Sequence, residues 1–360
     1  MENKGLIFIP DISGFTRFIN EMEIGHSRLI IEELLETLIN SNQIGLEISE
    51  IEGDAILFYK FGDTPELKLL YKQVEKMFCD FHKSLLAYDH SRFCQCRACT
   101  AAINLTLKVI THFGEFTSYS VKNFSKLIGK DIIVAHQLMK NDIKPHEYWL
   151  VTTNLVKNGT PAGLTEWMKW FKSGKQTESG EISFHYTQLS PLKSKIEPEQ
   201  VPELDLSKKE KMISFSKEYD TDIITLFHAT GDFNYRSRWQ EGVKAVEKIS
   251  HFLPRIGTRC KCELENGETS IYSTSYFYSP DRIEFSEMEE KQKRTAYYTL
   301  EKIDDAKTKL TLDFYLEKNI IGKIFFGIGE KKKMEETFEK SLLNLDELVK
   351  AIKLPKQDLS

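Results

Sequence analysis

The chain has 360 residues, 41% of them hydrophobic and 29% charged, a globular balance that excludes a disordered protein and is too long for one ordinary core, so two domains are expected. Its 49 basic and 54 acidic side chains leave a net charge of -5, and with no basic run to neutralise phosphates, nucleic acid is not an expected partner. The apolar stretch within MENKGLIFIP is shorter than a signal-peptide core, and no segment reaches the ~18 apolar residues of a membrane span, so a cytoplasmic chain without a transmembrane segment is expected.

Residues 5–10 read as a short buried strand, and Asp11-Ile12-Ser13-Gly14 as a turn into a helix marked by Phe15, Phe18, Ile19 and Met22. A second helix is expected over 27–39, where Leu29, Ile30, Leu34, Leu35 and Leu38 recur at helical spacing. Strands over 45–51 and 55–59 flank Gly53-Asp54, a tight hairpin turn. Then come a helix over 66–86, a cysteine-bearing loop and an alternating strand through Leu105, Leu107 and Val109, with His112 and Gly114 at its end. A helix over 132–139 and strands over 148–152 and 182–189 follow. Helices and strands mixed without a strict βαβ repeat point to an α+β sandwich rather than a doubly wound parallel sheet.

Between 191 and 211 the composition turns to proline, lysine, glutamate, serine and aspartate, marking a linker over 193–207 between domains at 1–192 and 208–360. Beyond it, strands are expected over 213–219, 258–264, 269–278, 281–287, 295–302 and 309–317, with short helices over 223–227 and 239–243. A closing helix over 331–352 carries Met334, Phe338, Leu342, Leu345, Leu348 and Val349 as one apolar stripe.

Asp11 at a strand end and Asp54 on a hairpin tip are placed to meet. Two close carboxylates repel unless a cation lies between them, and Mg²⁺ takes one or two carboxylates while keeping its other positions for phosphate and water. The pair suits a metal-triphosphate site, with the backbone N–H groups of Ser13, Gly14, Phe15 and Thr16 free to bind phosphate. Taken singly, Asp11 reads as a helix cap and Asp54 as an ordinary turn residue.

These residues resemble a known family. Phe8-Ile9-Pro10-Asp11-Ile12-Ser13-Gly14-Phe15-Thr16 is similar to the first metal motif of class III adenylyl and guanylyl cyclases, and Glu52-Gly53-Asp54-Ala55 to their second. Ile110-Thr111-His112-Phe113-Gly114-Glu115 resembles the strand with their His-x-Gly signature. Over roughly 5–190 the resemblance implies a ferredoxin-like, class III cyclase-type α/β sandwich. It also implies Mg²⁺ or Mn²⁺ in a two-metal site on Asp11, Ile12 and Asp54, phosphate on Ser13 to Thr16, and a face-to-face homodimer. Two positions depart from the pattern. Where the family helix carries an Asn for the ribose and an Arg for the reacting phosphate, alignment at Gly129 puts Ile133 and Gln137, removing the main charge-stabilising group. Lys140, on the same helical face, is either a substitute cation or a solvated helix-end lysine. At the family's base-selecting positions stand Glu50 and Lys126. They complement guanine, favouring GTP over ATP, unless they are plain surface charges.

Cys94, Cys96 and Cys99 lie close enough in sequence for one Zn²⁺, with His90 or His82 as fourth ligand; reduced, unmetallated thiols are the alternative. Cys260 and Cys262 alternate on a strand and read as packed side chains. Over about 208–355 the element order is similar to the START-like helix-grip superfamily, and Phe233-Asn234-Tyr235-Arg236-Ser237-Arg238-Trp239 resembles its early segment. That implies a curved antiparallel sheet around the long C-terminal helix, with a cavity for a lipid or other hydrophobic molecule, unless helix and sheet simply fill one another. The expected function is a cyclase-like domain that binds metal-nucleoside triphosphate with little or no cyclase activity, coupled in signalling to a hydrophobic-ligand domain. The alternatives are an active guanylyl-type cyclase and an interaction module without nucleotide.

Overall fold

In the computed structural model, strand β1 (Lys4–Ser13) is buried along all but its first residue, because β3 (Ala55–Phe61) and β4 (Thr106–Glu115) pair with it antiparallel on either side. The structure describes residues 4–22, 24–90, 96–122, 124–156, 161, 164–177, 180–197, 204–248, 256–265, 267–318 and 328–352. The chain forms two compact units, the first of Met1–His90 and Arg97–Glu199, the second of Ser91–Cys96 and Gln200–Ser360. Among the described residues no helix is long and apolar enough to cross a membrane.

The first unit is built on a seven-stranded sheet in the order β2-β3-β1-β4-β7-β9-β8, where β2 is Glu47–Glu52, β7 Tyr148–Thr152, β8 Phe171–Thr177 and β9 Gly180–Gln188. Among the described residues of this sheet only the β4–β7 pair is parallel. Helices α1 (Phe15–Glu21) and α2 (Ile24–Asn40) join β1 to β2, and α3 (Leu67–His90) and α4 (Arg97–Ala101) join β3 to β4. Side chains alternate along β1. Ile7 and Ile9 share one face with Ile110, Leu150 and the apolar stripe of α5 (Lys130–Met139), namely Ile132, Val134, Ala135 and Leu138. By the same period Asp11 faces α5.

Strand β1 runs through Asp11 to Ser13 rather than ending before it, since its pairing with β4 continues to Ser13 and Thr106. The break falls at Gly14, whose φ of 92° is a left-handed conformation that glycine adopts without strain. Strand β8 and the polar hairpin of β5 (Thr117–Val121) and β6 (Phe124–Ile128) lack an apolar period and were not expected. The start of the expected linker is ordered: Ser190–Lys195 forms a 3-10 helix that buries Leu192.

The second unit is an antiparallel sheet in the order β10-β16-β15-β14-β13-β12-β11. Its strands are β10 (Lys209–Tyr219), β11 (Val243–Lys248), β12 (Arg259–Leu264), β13 (Gly267–Ser279), β14 (Arg282–Glu289), β15 (Thr295–Asp304) and β16 (Lys307–Glu317). Helices α6 (Ile223–Gly231) and α7 (Arg236–Trp239) precede β11, and α8 (Ile328–Ala351) closes the described chain. The helix expected over 239–243 is displaced: α7 stops at Trp239 and Val243 already begins β11, after Gly242 at φ 83°. Leu342, Leu345, Leu348 and Val349 of α8 pack on Leu226 and Phe227 of α6 and on Phe285, Tyr298 and Leu312 of the sheet. That end of the helix is filled core.

Candidate functional site

Asp11 is the cross-strand partner of Ala55 on β3 and Lys108 on β4. Asp54 immediately precedes Ala55 in the hairpin turn, where Gly53 takes a φ of 61°. The Asp54 carbonyl accepts the Ile12 N–H at 3.0 Å, tying the turn to β1. Both carboxylates therefore open into one cavity of about 830 Å³, together with Ser13, Gly14, Phe15 and Thr16. Ile133, Gln137 and Lys140 of the α5 segment form another part of its wall.

The Asp11 side chain is 8% exposed. Burial pushes its pKa up to about 6; Lys108, with Nζ 3.2 Å away, pulls it down, and the charge of Asp54 raises it again. Asp54 is raised mainly by burial. Lys108 also donates to the Met139 carbonyl at 3.2 Å, linking Asp11 to the end of α5. Ser13 Oγ, buried beside them, has no hydrogen-bond partner. Arg17, Glu52 and Lys140 also line the cavity, but Asp11 and Asp54 are close enough for their charges to oppose one another and Lys108 is the cation paired with Asp11, so these two oxygen donors fit a divalent cation. Ile12, whose side chain is wholly buried, has only its main-chain carbonyl to offer.

His112 shares hydrogen bonds with Asp131 Oδ1 through Nε2 and with Thr152 Oγ1 through Nδ1, both at 2.8 Å. Asp131 also accepts the Glu115 N–H at 2.6 Å. A Cβ on Gly114 would stand 2.1 Å from the Asp131 carboxyl carbon, so only glycine fits there. The His-x-Gly signature thus anchors the start of α5 to β4 and sets where Ile133 and Gln137 lie.

Glu50 on β2 and Lys126 on β6 meet in an ion pair of 2.6 Å, with His136 Nε2 3.9 Å from the other Glu50 oxygen. They bond each other and are not part of the aspartate cavity wall, although His136 is.

Of the cysteine cluster, Cys94 lies outside the described residues, as does the side chain of His90. Cys96 and Cys99 are both buried, and Cys99 Sγ stands 3.6 Å from His26 Nδ1. His82 is placed elsewhere. Its ring packs on Phe78 and Phe81, its Nε2 is 3.7 Å from Glu147, and burial, aided by Lys193, pushes its pKa down to about 3.

The second unit has its own cavity, of about 670 Å³, at the first half of α8. Ile271, Phe314, Met334 and Phe338 give it an apolar wall. Arg236 and Glu287 line it too, buried to 2% and 3% side-chain exposure and hydrogen-bonded to each other. Cys260 and Cys262 are buried with their sulfurs 3.8 Å apart.

Sequence reasoning missed Lys108, His136 and His146, all on the aspartate cavity, and His26 beside Cys99. Lys108 carried a signal: it shares its strand face with Ile110 and His112, both buried, so a cation there needs a partner.

A family model described as a protein of unknown function (DUF2652) matches residues 31–148. A curated relative, the uncharacterized protein Rv2561/Rv2562 of Mycobacterium tuberculosis (strain ATCC 25618 / H37Rv), is 30% identical over 122 residues, 33% of this chain. The matched stretch spans 56% of that relative's length. Similar solved structures include the catalytic core of a rhodopsin-guanylyl cyclase in complex with ATPalphaS, at 11% identity and a TM-score of 0.35, covering 52% of this chain and 96% of that one. A bacterial light-regulated adenylyl cyclase is 13% identical with a TM-score of 0.37, covering 54% and 97%. A START superfamily protein from Mycobacterium smegmatis is 17% identical with a TM-score of 0.32, covering 40% and 100%.

Proposed function

We propose that the first unit binds a divalent metal with a nucleoside triphosphate at Asp11 and Asp54, with little or no cyclase activity, and that it is coupled in signalling to a hydrophobic-ligand site in the second unit. The observation that carries this reading is the convergence of two carboxylates, Asp11 buried and Asp54 half-buried, on one cavity, with burial holding Asp11 near pKa 6 despite Lys108. The strand order β2-β3-β1-β4, with helices between β1 and β2 and between β3 and β4, supports the ferredoxin-like arrangement of a class III cyclase. Mg²⁺ or Mn²⁺ there supplies charge to bind the phosphates and polarise the ribose oxygen.

Asp11 and Asp54 hold the metal, and Ser13 to Thr16 border the same cavity for the phosphates. Against turnover stand Ile133, 57% exposed and unable to hydrogen-bond, and the uncharged Gln137. Losing one well-aimed donor costs about a hundredfold to a thousandfold in rate, so cyclic nucleotide production is expected near background. Ile133→Asn with Gln137→Arg raises any residue of it. Glu50 and Lys126, already paired, favour guanine over adenine by exchanging one partner for the base edge. Exposed Ile48, Ile51, Tyr119, Val121, Ile128 and Ile133 on β2, the β5–β6 hairpin and α5 suit a homodimer face. In the second unit, Arg236 and Glu287 neutralise each other, which favours an apolar molecule with an uncharged polar group.

Isothermal titration with GTP and ATP, with and without Mg²⁺ or Mn²⁺, tests the reading. Binding that needs the metal, prefers GTP and disappears in Asp11→Ala and Asp54→Ala is expected; binding indifferent to EDTA, or none, ends it. Lys140 on the cavity wall favours a second reading, an active guanylyl-type cyclase in which it stabilises the transferring phosphate. Cyclic GMP synthesis by the wild-type chain, lost in Lys140→Ala, would decide for that alternative.

A further inference from the structure

We propose that Lys108 is a tethered counter-ion of Asp11 that disfavours a divalent cation arriving alone and favours one arriving with a triphosphate, an inference that rests on the metal-triphosphate reading of Asp11 and Asp54. Metal and triphosphate are then taken up as one ligand.

Lys108 is the cross-strand partner of Asp11, so the sheet itself holds the two side chains side by side. Its Nζ lies 3.2 Å from Asp11 Oδ2, the side chains being 14% and 8% exposed, and donates to the Met139 carbonyl at 3.2 Å. An ammonium has three N–H groups. Carboxylate and carbonyl take two, and among the described residues nothing takes the third, although Lys108 lines the cavity. The end of α5 has another clamp: Lys175 Nζ donates to the Gln137 carbonyl at 2.7 Å and also to that of Lys140. Lys108 is therefore fastened at Met139, paired with Asp11, and keeps one donor for a ligand.

Two consequences of opposite sign follow from this placement. A divalent ion on Asp11 competes with Lys108 for the same carboxylate, and a unit charge within about 6 Å of such an ion disfavours it by about tenfold even at the dielectric of water. Once the ion holds Asp11, the ammonium has lost its counter-charge but cannot leave, because the strand and Met139 fix it. It then needs an anion, and a triphosphate arriving with the metal supplies one. Two ligands that each offset the other's cost bind with positive coupling, equal in both directions. Arg17, also on the cavity wall, is paired with Glu21 instead.

The test is titration of the full-length chain with Mn²⁺ alone, read by electron paramagnetic resonance of the free ion, and calorimetric titration with the preformed Mn²⁺–GTP complex. Lys108→Met is expected to bind Mn²⁺ alone about tenfold more tightly than wild type and Mn²⁺–GTP about fivefold more weakly. Lys108→Arg, which keeps the charge, is expected to stay near wild type in both. A merely structural role would weaken both in Lys108→Met. If that variant does not fold, Asp11→Asn gives a second reading, since it keeps Lys108 and removes its counter-charge. In EDTA it is expected to bind inorganic tripolyphosphate about tenfold more tightly than wild type does. Mn²⁺ affinity unchanged or weakened in Lys108→Met, or no gain of tripolyphosphate in Asp11→Asn, overturns this proposal alone when wild type still binds Mn²⁺–GTP. A wild-type chain that binds neither Mn²⁺ nor Mn²⁺–GTP ends the metal-triphosphate reading and this proposal with it.

Discussion

The two cavities treat buried charge in opposite ways. Around Asp11, burial outweighs the neighbouring Lys108, the charge of Asp54 adds to it, and the carboxyl group is held near pKa 6. Around Arg236, burial alone would drive the guanidinium toward its neutral form, but Glu287 outweighs burial and keeps the group charged. A site that leaves charge unbalanced invites an external counter-ion, whereas a site that balances it internally favours ligands carrying no net charge. The contrast is what the proposed metal-nucleotide site and the proposed cavity for an apolar molecule each require, and it is drawn without appeal to fold.

The sharpest way to break the contrast is to remove one member of the balanced pair. Arg236→Ala or Glu287→Ala leaves its partner buried and unpaired, and is expected to cost about 3–5 kcal/mol of stability, read from urea unfolding. Replacing both with Met and Leu is expected to return most of that loss. Single variants within about 1 kcal/mol of wild type would show that the pair is not buried in solution.

The unbalanced site should respond in the opposite sense. Asp11 titrates near 6 when folded against a reference value of 3.8. Between those values the folded state binds more protons, so the stability of the wild-type chain falls as pH rises through that window and stays lower above it. Asp11→Asn removes the charge and is expected to stabilise the metal-free protein by about 1–3 kcal/mol at pH 7, with the gain vanishing near pH 4. Saturating Mn²⁺ should erase or reverse the difference at pH 7, since the ion stabilises only the carboxylate. Destabilisation by Asp11→Asn at pH 7 without metal would mean that the Lys108 contact outweighs burial.

What the sequence disclosed followed from periodicity. The apolar stripes of α5 and α8 and the alternation in β4 were readable, and so was the turn at Gly53-Asp54, because each repeats a pattern set by local geometry. Asp11 and Asp54 were legible as a pair only through motif order. The strand setting of Asp11 was misread, since where β1 ends depends on the pairing of Ser13 with Thr106, far along the chain. His26 was invisible for the same reason: nothing near it in sequence announces that α4 packs on α2. Hairpin β5–β6 and strand β8 escaped because polar, exposed strands carry no apolar period. The Arg236–Glu287 pair joins a short helix to a distant strand and left no mark on either segment alone.

His82 supplies a third way of burying a titratable group, and the smallest of the expected effects. It stays neutral: burial and Lys193 push its pKa down to about 3 against an ordinary value of 6.5. Below 6.5 the unfolded chain takes up a proton that the folded chain refuses, so this residue makes stability fall as the solution is acidified. Asp11 does the reverse between 6 and 3.8, where acidification relieves it. The two slopes, each at most about 1.4 kcal/mol per pH unit, oppose one another, and their joint contribution between pH 6 and pH 5 is expected to be nearly flat. Asp11→Asn should unmask a decline with acid over that unit, and His82→Leu should unmask a rise. Glu147, held below its ordinary 4.5 because Lys193, Thr106 and Ser190 together outweigh its burial, contributes only at lower pH; His146 and His185, held below 6.5 mainly by burial, add to the His82 slope, and Asp54, raised by burial, adds to that of Asp11, in wild type and variants alike. Urea midpoints of the two single variants and the double variant at pH 6.0 and 5.0 resolve the signs. If Asp11→Asn and His82→Leu shift the slope in the same direction, the opposition inferred from their burial is wrong for one of them, and the double variant identifies which.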